Sequence, residues 1–293
     1  MQLQSVLDDI PVAAIKIGML STAGIVNAVA RALLALRGSP QQQRQKLPIV
    51  VDPVCVSTSS GYVPLEHDAL DALVRELLPL AAVLTPNVDE AVPLLHCLRL
   101  QHNPGAQEEP PSISSIGDMV RVACELRCAL GDGAAVLLNG GHQPRGSFRL
   151  ADVVSAGAEM GPVDIGGTGR ACRIRGIVCQ GMVLCIPDTD ADSLNTEILL
   201  RASGTSSPVA EPGSAAVVVD VLCERDGEGK CACTLFVRPY LESNSTHGSG
   251  CTLSAALACA LARGEPRACS ILILISPLIL LFAPVFCCSN RSC

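Results

Sequence analysis

The stretch AVLTPNVDEAVPLLHCL (82–98) decides the fold class of this chain. Its first residues are apolar without polar alternation, which is typical of a strand buried on both faces. A Pro-Asn turn follows, and the apolar residues beyond it recur at helical spacing. The stretch therefore predicts one strand, a tight turn and one helix.

The same unit recurs on both sides of this stretch. Buried strands are predicted at 13–17, 48–52 and 134–138, and amphipathic helices at 25–36, 68–78 and 116–130. One face of the first helix is predicted to carry Ile25, Val26, Val29, Leu33 and Leu36. Apolar strands that alternate with helices predict an α/β fold with a parallel sheet covered on both faces.

Composition excludes several classes of protein. The formal net charge is −7, aromatic residues make up 2% of the chain, and Trp is absent, so a nucleic-acid partner is not expected. Hydrophobic residues make up 49% and charged residues 17%, which is typical of a globular chain rather than a disordered one. No heptad repeat or collagen-like triplet is present.

The 16 cysteines lie mostly inside apolar runs. The sequence contains no Cys-x-x-Cys pair, so the spacing typical of a zinc site is missing. The amino-terminal residues also lack the basic and apolar regions of a signal peptide. We therefore expect a reduced, cytoplasmic chain in which most cysteines are small core residues.

Two segments depart from the repeating pattern. Residues from about 143 to 215 are rich in Gly, Pro, Ser and Asp and predict an inserted loop or disordered segment, with one apolar patch (174–187) that is either a strand or a hairpin. Regular structure resumes with a predicted strand pair at 216–223 and 233–237. The tail 265–293 contains an uncharged apolar run (268–288), which is read as a membrane anchor, a buried helix pair or a non-native end.

The segment STHGSGCTLSAALA (245–258) combines a glycine turn with the start of a helix. Gly248 and Gly250 allow the amides of Gly248, Ser249, Gly250 and Cys251 to converge on an anion, such as a phosphoryl group in transfer. A helix dipole at Cys251 is expected to lower the thiol pKa, so that the thiolate takes a proton from a substrate hydroxyl. An ordinary helix start with a buried cysteine is the alternative.

Acidic and amide side chains follow the other predicted strands. Asn87 and Glu90 fit a capping box, and the functional alternative is that Glu90 helps to hold Mg²⁺ through water. Asp52 either caps the turn before Pro53 or contacts a metal or another cation. The DIGGTG segment (164–169) only resembles a phosphate loop, since no helical pattern follows it.

Five motifs together resemble the hydroxymethylpyrimidine and phosphomethylpyrimidine kinases of thiamin synthesis, which are similar to pyridoxal kinases. They are IKIGMLS (15–21), VVDPVCVSTSSG (50–61), LLPLAAVLTPNVDEA (77–91), VLLNGGH (136–142) and STHGSGCTLSAALA (245–258). The resemblance covers most of 3–142 and 216–264, and the insertion before 216 looks like that of fungal members. It implies a kinase domain over 1–264 with a ribokinase-like three-layer α/β/α fold, a mostly parallel central sheet and no counterpart of the family's first strand-helix region.

The same resemblance implies ATP-dependent phosphorylation of a pyrimidine hydroxymethyl group and then of its phosphate ester, with ATP and Mg²⁺ as cofactors. Gly248, Ser249 and Gly250 would form the anion hole and Cys251 would be the base. On the nucleotide and metal side, the corresponding residues would be Asp52, Asn87, Glu90 and Asn139. The family has Lys where this chain has Asn139, a change that removes a cation from the phosphates.

Three functions are therefore weighed. The first is the pyrimidine kinase, the second is a catalytically impaired binding or dimerisation relative, and the third is a pyridoxal-type vitamin kinase. We expect a small-molecule pyrimidine substrate, a homo-oligomer, no nucleic acid, and membrane contact only if the run 268–288 is an anchor.

Overall fold

The computed structural model describes residues 2–38, 47–54, 67–103, 109–141, 148–149, 151–153, 156, 163–164, 171–179, 182–185, 216–227, 229–240 and 248–267. The helices are α1 (Gln2–Asp9), α2 (Ala23–Arg37), α3 (His67–Ala72), α4 (Val88–His102), α5 (Ile116–Ala129) and α6 (Ser249–Ala262). A π-helical turn (Leu73–Leu77) and a 3₁₀ turn (Leu78–Leu80) continue α3.

Within the described ranges, ten strands lie in one mixed sheet. They are β1 (Ile15–Ile17), β2 (Ile49–Val51), β3 (Val83–Leu84), β4 (Ala135–Leu138), β5 (Phe148–Arg149), β6 (Val163–Asp164), β7 (Ala171–Cys179), β8 (Met182–Cys185), β9 (Ala216–Arg225) and β10 (Cys231–Pro239). The spatial order is β1-β2-β3-β4-β9-β10-β7-β6, with β5 paired to β9 and β8 paired to β7. Strands β1 to β4 are parallel, as the alternation of strands and helices predicts.

The two faces of the sheet are covered by different helices. In β2, Val50 packs with Leu257 and Ala258 of α6, whereas Ile49 and Val51 pack with the cluster that contains α2, α4 and α5. Successive side chains of a strand point to opposite faces, so an unbroken apolar strand supplies both layers. The result is the three-layer α/β/α arrangement that the sequence predicts.

Strand β9 makes the sheet mixed. It runs antiparallel to both of its neighbours, β4 and β10, while β10 is parallel to β7. The predicted strand pair at 216–223 and 233–237 is therefore present. It also brings the carboxyl end of β10 to the same edge of the sheet as the carboxyl end of β4, because two antiparallel steps restore the direction.

The segment 143–215 contains more regular structure than the sequence predicts. It holds β5 to β8, and its apolar patch forms an antiparallel hairpin of β7 and β8, one of the two forms left open by the sequence. Apart from the helical residues 151–153 and 156, its other residues, including most of the DIGGTG segment, lie outside the described residues. The domain boundary near 264 stays a prediction, because 268–293 also lie outside them.

The first predicted helix, α2, buries fewer apolar residues than its predicted apolar face contains. Helix α2 begins after Thr22, whose side chain accepts a hydrogen bond from the Ile25 amide, and it buries Val26, Ala30 and Leu33. Ile25, on the predicted apolar face, is 44% exposed.

Of the helices in the described ranges, none has both the length and the apolar character needed to cross a membrane. The apolar run 268–288, on which the anchor hypothesis depends, lies outside those ranges.

Candidate active site

The site lies at the carboxyl ends of the parallel strands, where polar residues follow β2, β3 and β4. Backbone hydrogen bonds link these ends in order: Asp52 N–H donates to Ile17 O at 2.8 Å, Thr85 N–H donates to Val51 O at 2.9 Å, and Asn139 N–H donates to Pro86 O at 2.8 Å. Ligand sites of open α/β sheets form at this edge.

Asp52 is the buried centre of the site. Its Oδ2 accepts a hydrogen bond of 2.9 Å from the Ser254 hydroxyl, and the Lys16 ammonium lies 3.3 Å from the same oxygen. Asp52 and Ser254 are buried, whereas 22% of the Lys16 side chain is exposed. A buried carboxylate needs such partners, since an unpaired charge in the interior is strongly unfavourable.

Cys251 lies one helical turn before Ser254, whose hydroxyl also donates to Cys251 O at 3.0 Å. Asp52 and Lys16 both act on the pKa of the Cys251 thiol, which places the thiol near the buried carboxylate as well as at the start of α6. Strand β2 and helix α6 therefore hold the predicted base and the predicted cation contact side by side.

The expected lowering of the Cys251 pKa is wrong. Cys251 is exposed as a residue, but desolvation of its thiol and the negative charge of Asp52 raise the thiol pKa above the ordinary value of 9.0, and Lys16 only partly opposes them. The helix dipole does not prevail, because burial and a neighbouring carboxylate both disfavour the thiolate. The structure thus favours a protonated thiol at neutral pH.

Gly248 has φ +81° and ψ −5°, the left-handed conformation that the glycine turn predicts, and α6 begins at the next residue. A Cβ at Gly250 would meet no described atom within 4 Å, so space is open beside the first turn. The first amides of a helix have no acceptor within the helix and attract anions. The local geometry therefore fits a phosphoryl group or a similar anion.

Asn87 and Glu90 form the predicted capping box at the start of α4. Asn87 Oδ1 accepts from Glu90 N–H, and Glu90 Oε2 accepts from Asn87 N–H, both at 2.9 Å. Glu90 is 4% exposed, so its carboxylate lies below the surface at the same strand edge. The structural role is confirmed, and a metal role stays a prediction.

The side-chain amide oxygen of Asn139 accepts no hydrogen bond from the described residues. Its Nδ2 donates to Thr85 O at 3.3 Å, while its buried Oδ1 has no hydrogen-bond partner among the described residues. Buried acceptors are usually satisfied by a donor, a water or an ion. Together with the carboxylate of Glu90, this oxygen belongs to the hard donor set that Mg²⁺ prefers, so the residues fit that cofactor.

A second buried carboxylate lies at this edge, and sequence reasoning missed it. Asp220 is fully buried; its Oδ1 accepts from Gly140 N–H at 2.8 Å, and its Oδ2 accepts from Arg238 Nε and Nη2 at 3.2 and 3.0 Å. Arg238 lies at the carboxyl end of β10 and 39% of its side chain is exposed. It brings a cation to the loop that starts at Asn139, where the family's Lys is missing.

Lys16 and Ser254 were also missed as site residues. The available signals were weak: Lys16 is a lone charge in an apolar strand, and Ser254 is a hydroxyl in an apolar helical run. Each is common at surfaces and helix faces. Only the pairing of β1 with β2 and the packing of α6 against β2 show that both side chains meet Asp52.

Two curated proteins are similar in sequence to about half of this chain. In sequence, a Rhizobium meliloti hydroxymethylpyrimidine/phosphomethylpyrimidine kinase is 36% identical over 142 residues, which are 48% of this chain and 44% of the relative. A Schizosaccharomyces pombe relative is 37% identical over 149 residues, which are 51% of this chain and 24% of the relative. This chain therefore spans less than half the length of these two curated proteins.

Solved structures of pyridoxal kinases share the fold. The Staphylococcus aureus enzyme in complex with AMP-PCP gives a TM-score of 0.52 at 20% identity, covering 94% of this chain and 63% of that chain. The Bacillus subtilis enzyme in an ADP complex gives 0.51 at 20% identity, covering 94% and 65%. At this level of identity the likeness concerns the ribokinase-like fold, which the sequence predicts.

The family itself follows from the sequence match. The model of the phosphomethylpyrimidine kinase family matches residues 1–164 and 195–272, which include every residue of the site described above. The expectation drawn from the five motifs is thereby confirmed, and this chain belongs to the phosphomethylpyrimidine kinase family.

Proposed function

We propose that this chain transfers a phosphoryl group from ATP to hydroxymethylpyrimidine and then to its monophosphate. The observation that carries the proposal is the meeting of Cys251 with Asp52 and Lys16 at the glycine turn that begins α6. An anion-binding turn beside a proton acceptor is what transfer to an alcohol requires. Membership of the phosphomethylpyrimidine kinase family supports the substrate class.

In this proposal the amides of Gly248, Ser249 and Gly250 hold the phosphoryl group during transfer. Cys251 is protonated at rest, so it acts as a relay: its sulfur takes the substrate's hydroxyl proton while its own proton passes to Asp52. The new bond joins the substrate oxygen to phosphorus, and the bond between the γ-phosphorus and its bridging oxygen breaks to release ADP. Lys16 and Ser254 keep the Asp52 carboxylate oriented.

Mg²⁺ would neutralise the phosphate charges when bound. Glu90 and Asn139 supply oxygen atoms of the type that it binds. Arg238 adds a fixed positive charge at the same edge of the sheet, which partly replaces the Lys that is absent at Asn139. Because ATP and the pyrimidine are cytoplasmic metabolites in this proposal, we place the reaction in the cytoplasm.

The test is ADP release by the purified full chain with hydroxymethylpyrimidine, its monophosphate and pyridoxal in parallel. We expect turnover with the two pyrimidines and little with pyridoxal. Cys251→Ala should lower kcat by about 10²-fold or more while the nucleotide Kd changes by less than about twofold. Cys259→Ala is the control, since this thiol is exposed on the same helix.

A second function is favoured by a specific observation. Asn139 is neutral and the Cys251 pKa is raised, so this chain is less well equipped for catalysis than the motif set implies. A folded chain that binds nucleotide but phosphorylates none of the three substrates would overturn the kinase proposal. That result would identify a binding or dimerisation relative.

A further inference from the structure

A cluster of cysteines lies on the face of the sheet that packs against α5. It consists of Cys124 and Cys128 from α5, Cys223 from β9, and Cys231 and Cys233 from β10. On α5 the two cysteines are four residues apart, and on β10 they are two apart. The two cysteines of each element therefore lie on the same face of that element. Cys223 lies opposite Cys233 in the antiparallel register. Cys231 and Cys233 begin β10, whereas Arg238, at the candidate active site, ends it.

The sulfur atoms are in contact. Cys124 Sγ lies 3.5 Å from Cys223 Sγ and 3.6 Å from Cys233 Sγ, and Cys128 Sγ lies 3.6 Å from Cys231 Sγ. The sulfurs of Cys124, Cys223 and Cys231 all lie within 4.8 Å of one another. Four sulfurs around a zinc ion, each at about 2.3 Å, are separated by about 3.8 Å. These three sulfurs therefore already have nearly the spacing that tetrahedral thiolate coordination needs. Cys233 contacts Cys124 but lies outside this group of three, so its side chain has to shift to supply the fourth sulfur.

Arg127 is a second, independent observation. Its side chain is fully buried, and none of Nε, Nη1 and Nη2 has a hydrogen-bond partner among the described residues. The guanidinium interacts electrostatically with Cys231, Cys223 and Cys128, and with the like charge of Arg225. A buried cation without a counter-charge is strongly unfavourable. Neutral thiols do not supply the missing negative charge, whereas thiolates bound to a metal do.

We propose that the reduced chain binds one Zn²⁺ ion through Cys124, Cys223, Cys231 and Cys233. Each thiol releases its proton to solvent as its sulfur binds the metal. The four thiolates and the ion carry a net negative charge, which the buried Arg127 partly offsets. An all-sulfur ligand set favours Zn²⁺ over harder divalent ions, and four protein ligands make a closed, structural site.

The redox state of Cys124 controls this site. In the structure Cys124 is disulfide-bonded. This differs from the fully reduced chain that the sequence predicts. A disulfide sulfur is not a thiolate ligand, so zinc binding requires prior reduction of this bond by a phosphine or a dithiol.

The test is a cobalt titration of the full chain after reduction with a phosphine and removal of metals. We expect one equivalent of Co²⁺ to bind with the thiolate charge-transfer band and intense visible bands of tetrahedral coordination, and Zn²⁺ to displace it. The unreduced chain should show neither band. A folded, reduced chain without the charge-transfer band would overturn the proposal, whatever the variants do.

Single substitutions show which side chains bind the ion. Cys223→Ser should weaken metal binding by more than about 100-fold, and Arg127→Met should weaken it by about 10-fold with the cobalt bands retained. The matched control is Cys97→Ser, a buried thiol on α4, which should bind as the parent chain does. Equal losses in Cys97→Ser and Cys223→Ser would show adventitious binding and overturn the site. Circular dichroism checks that each variant folds. If Cys223→Ser does not fold, the cobalt spectrum of the parent chain and the metal affinity of Arg127→Met test the proposal.

Discussion

Ser254 donates a 2.9 Å hydrogen bond to Asp52, a residue 202 positions earlier in the chain. Both side chains are buried, and the bond ties helix α6 to the carboxyl end of β2. Because Ser254 lies one turn after Cys251, it fixes where the thiol meets the carboxylate. A bond between two distant segments thus sets the geometry of the candidate active site.

Ser254→Ala tests this bond. The substitution leaves Asp52 with one fewer partner in a buried position, so we expect the free energy of unfolding to fall by about 1–3 kcal/mol. Urea denaturation measures the change. Thr252→Ala is the matched control, since its hydroxyl is exposed and, among the described residues, donates to Gly248 O at the start of the same helix. A loss no greater than that of Thr252→Ala would contradict the proposed role of Ser254.

The two glycines after Asn139 should respond differently to alanine. A Cβ at Gly140 would lie 2.1 Å from Val219 O, which forces the loop or β9 to move. A Cβ at Gly141 would first meet Arg238 Nη2 at 3.8 Å, an ordinary contact. We expect Gly140→Ala to lower the free energy of unfolding by about 1–3 kcal/mol, the usual range for overpacking.

Gly141→Ala should change that free energy by less than about 0.5 kcal/mol. Thermal melts of the two variants beside the parent protein measure the difference. Equal melting temperatures for both variants would show that the close approach of Gly140 to β9 does not occur in solution.

Asn139→Lys should raise turnover if phosphate charge limits this chain. A cation at this strand end would restore a charge-assisted phosphate contact, and we expect kcat/KM to rise by about 10-fold or more. Steady-state kinetics with hydroxymethylpyrimidine measure it. Asn139→Gln is the control, because it lengthens the side chain without adding charge. No difference between the two variants would remove charge as the explanation.

The raised pKa of the Cys97 thiol predicts that the folded chain loses stability at high pH. Burial and a hydrogen bond to Asp71 raise the pKa of this thiol from 9.0 to about 12 in the folded chain. Above pH 9 the unfolded chain loses the proton that the folded chain keeps, so the free energy of unfolding falls as pH rises from about 9 towards 12. Below pH 9 both states are protonated and the stabilisation is fully present.

Chemical denaturation at pH 8, 9, 10 and 11 measures this dependence. Cys97→Ser should give a shallower fall between pH 9 and 11 than the parent protein, whatever its stability at pH 8. Cys259→Ser replaces an exposed thiol and should keep the parent's slope. Parallel curves for the parent and Cys97→Ser would contradict the assignment.

Local patterns explain why much of the fold was predictable. The capping box of Asn87 and Glu90, the strand at 49–51 and the start of α6 after Gly248 each depend on residues that are close in sequence. Such features follow from spacing and backbone preference alone. The antiparallel insertion of β9 between β4 and β10 was not predictable, because a strand's own residues do not say which neighbours it will pair with.

The candidate active site was likewise only partly predictable from the sequence. The sequence pointed to Asp52 and Cys251 separately, as residues that follow a strand or open a helix. It did not reveal that Lys16 and Ser254 join them, nor that Arg238 is held over the Asn139 loop by Asp220. The Cys251 pKa was predicted in the wrong direction, because the dipole is readable from the helix start whereas burial and the Asp52 charge are not.

The sequence by itself determined the α/β class, the family and the places where chemistry can occur, since periodicity, turns and ordered motifs are properties of neighbouring residues. Only the tertiary structure decided which side chains meet: Asp52 with Ser254, Asp220 with Arg238, and the thiols around Arg127. The physical reason is that charge, burial and coordination depend on separations of a few ångströms. Contacts between different elements are set by the pairing of strands and by the packing of the sheet against its helices, and they join residues as far as 202 positions apart.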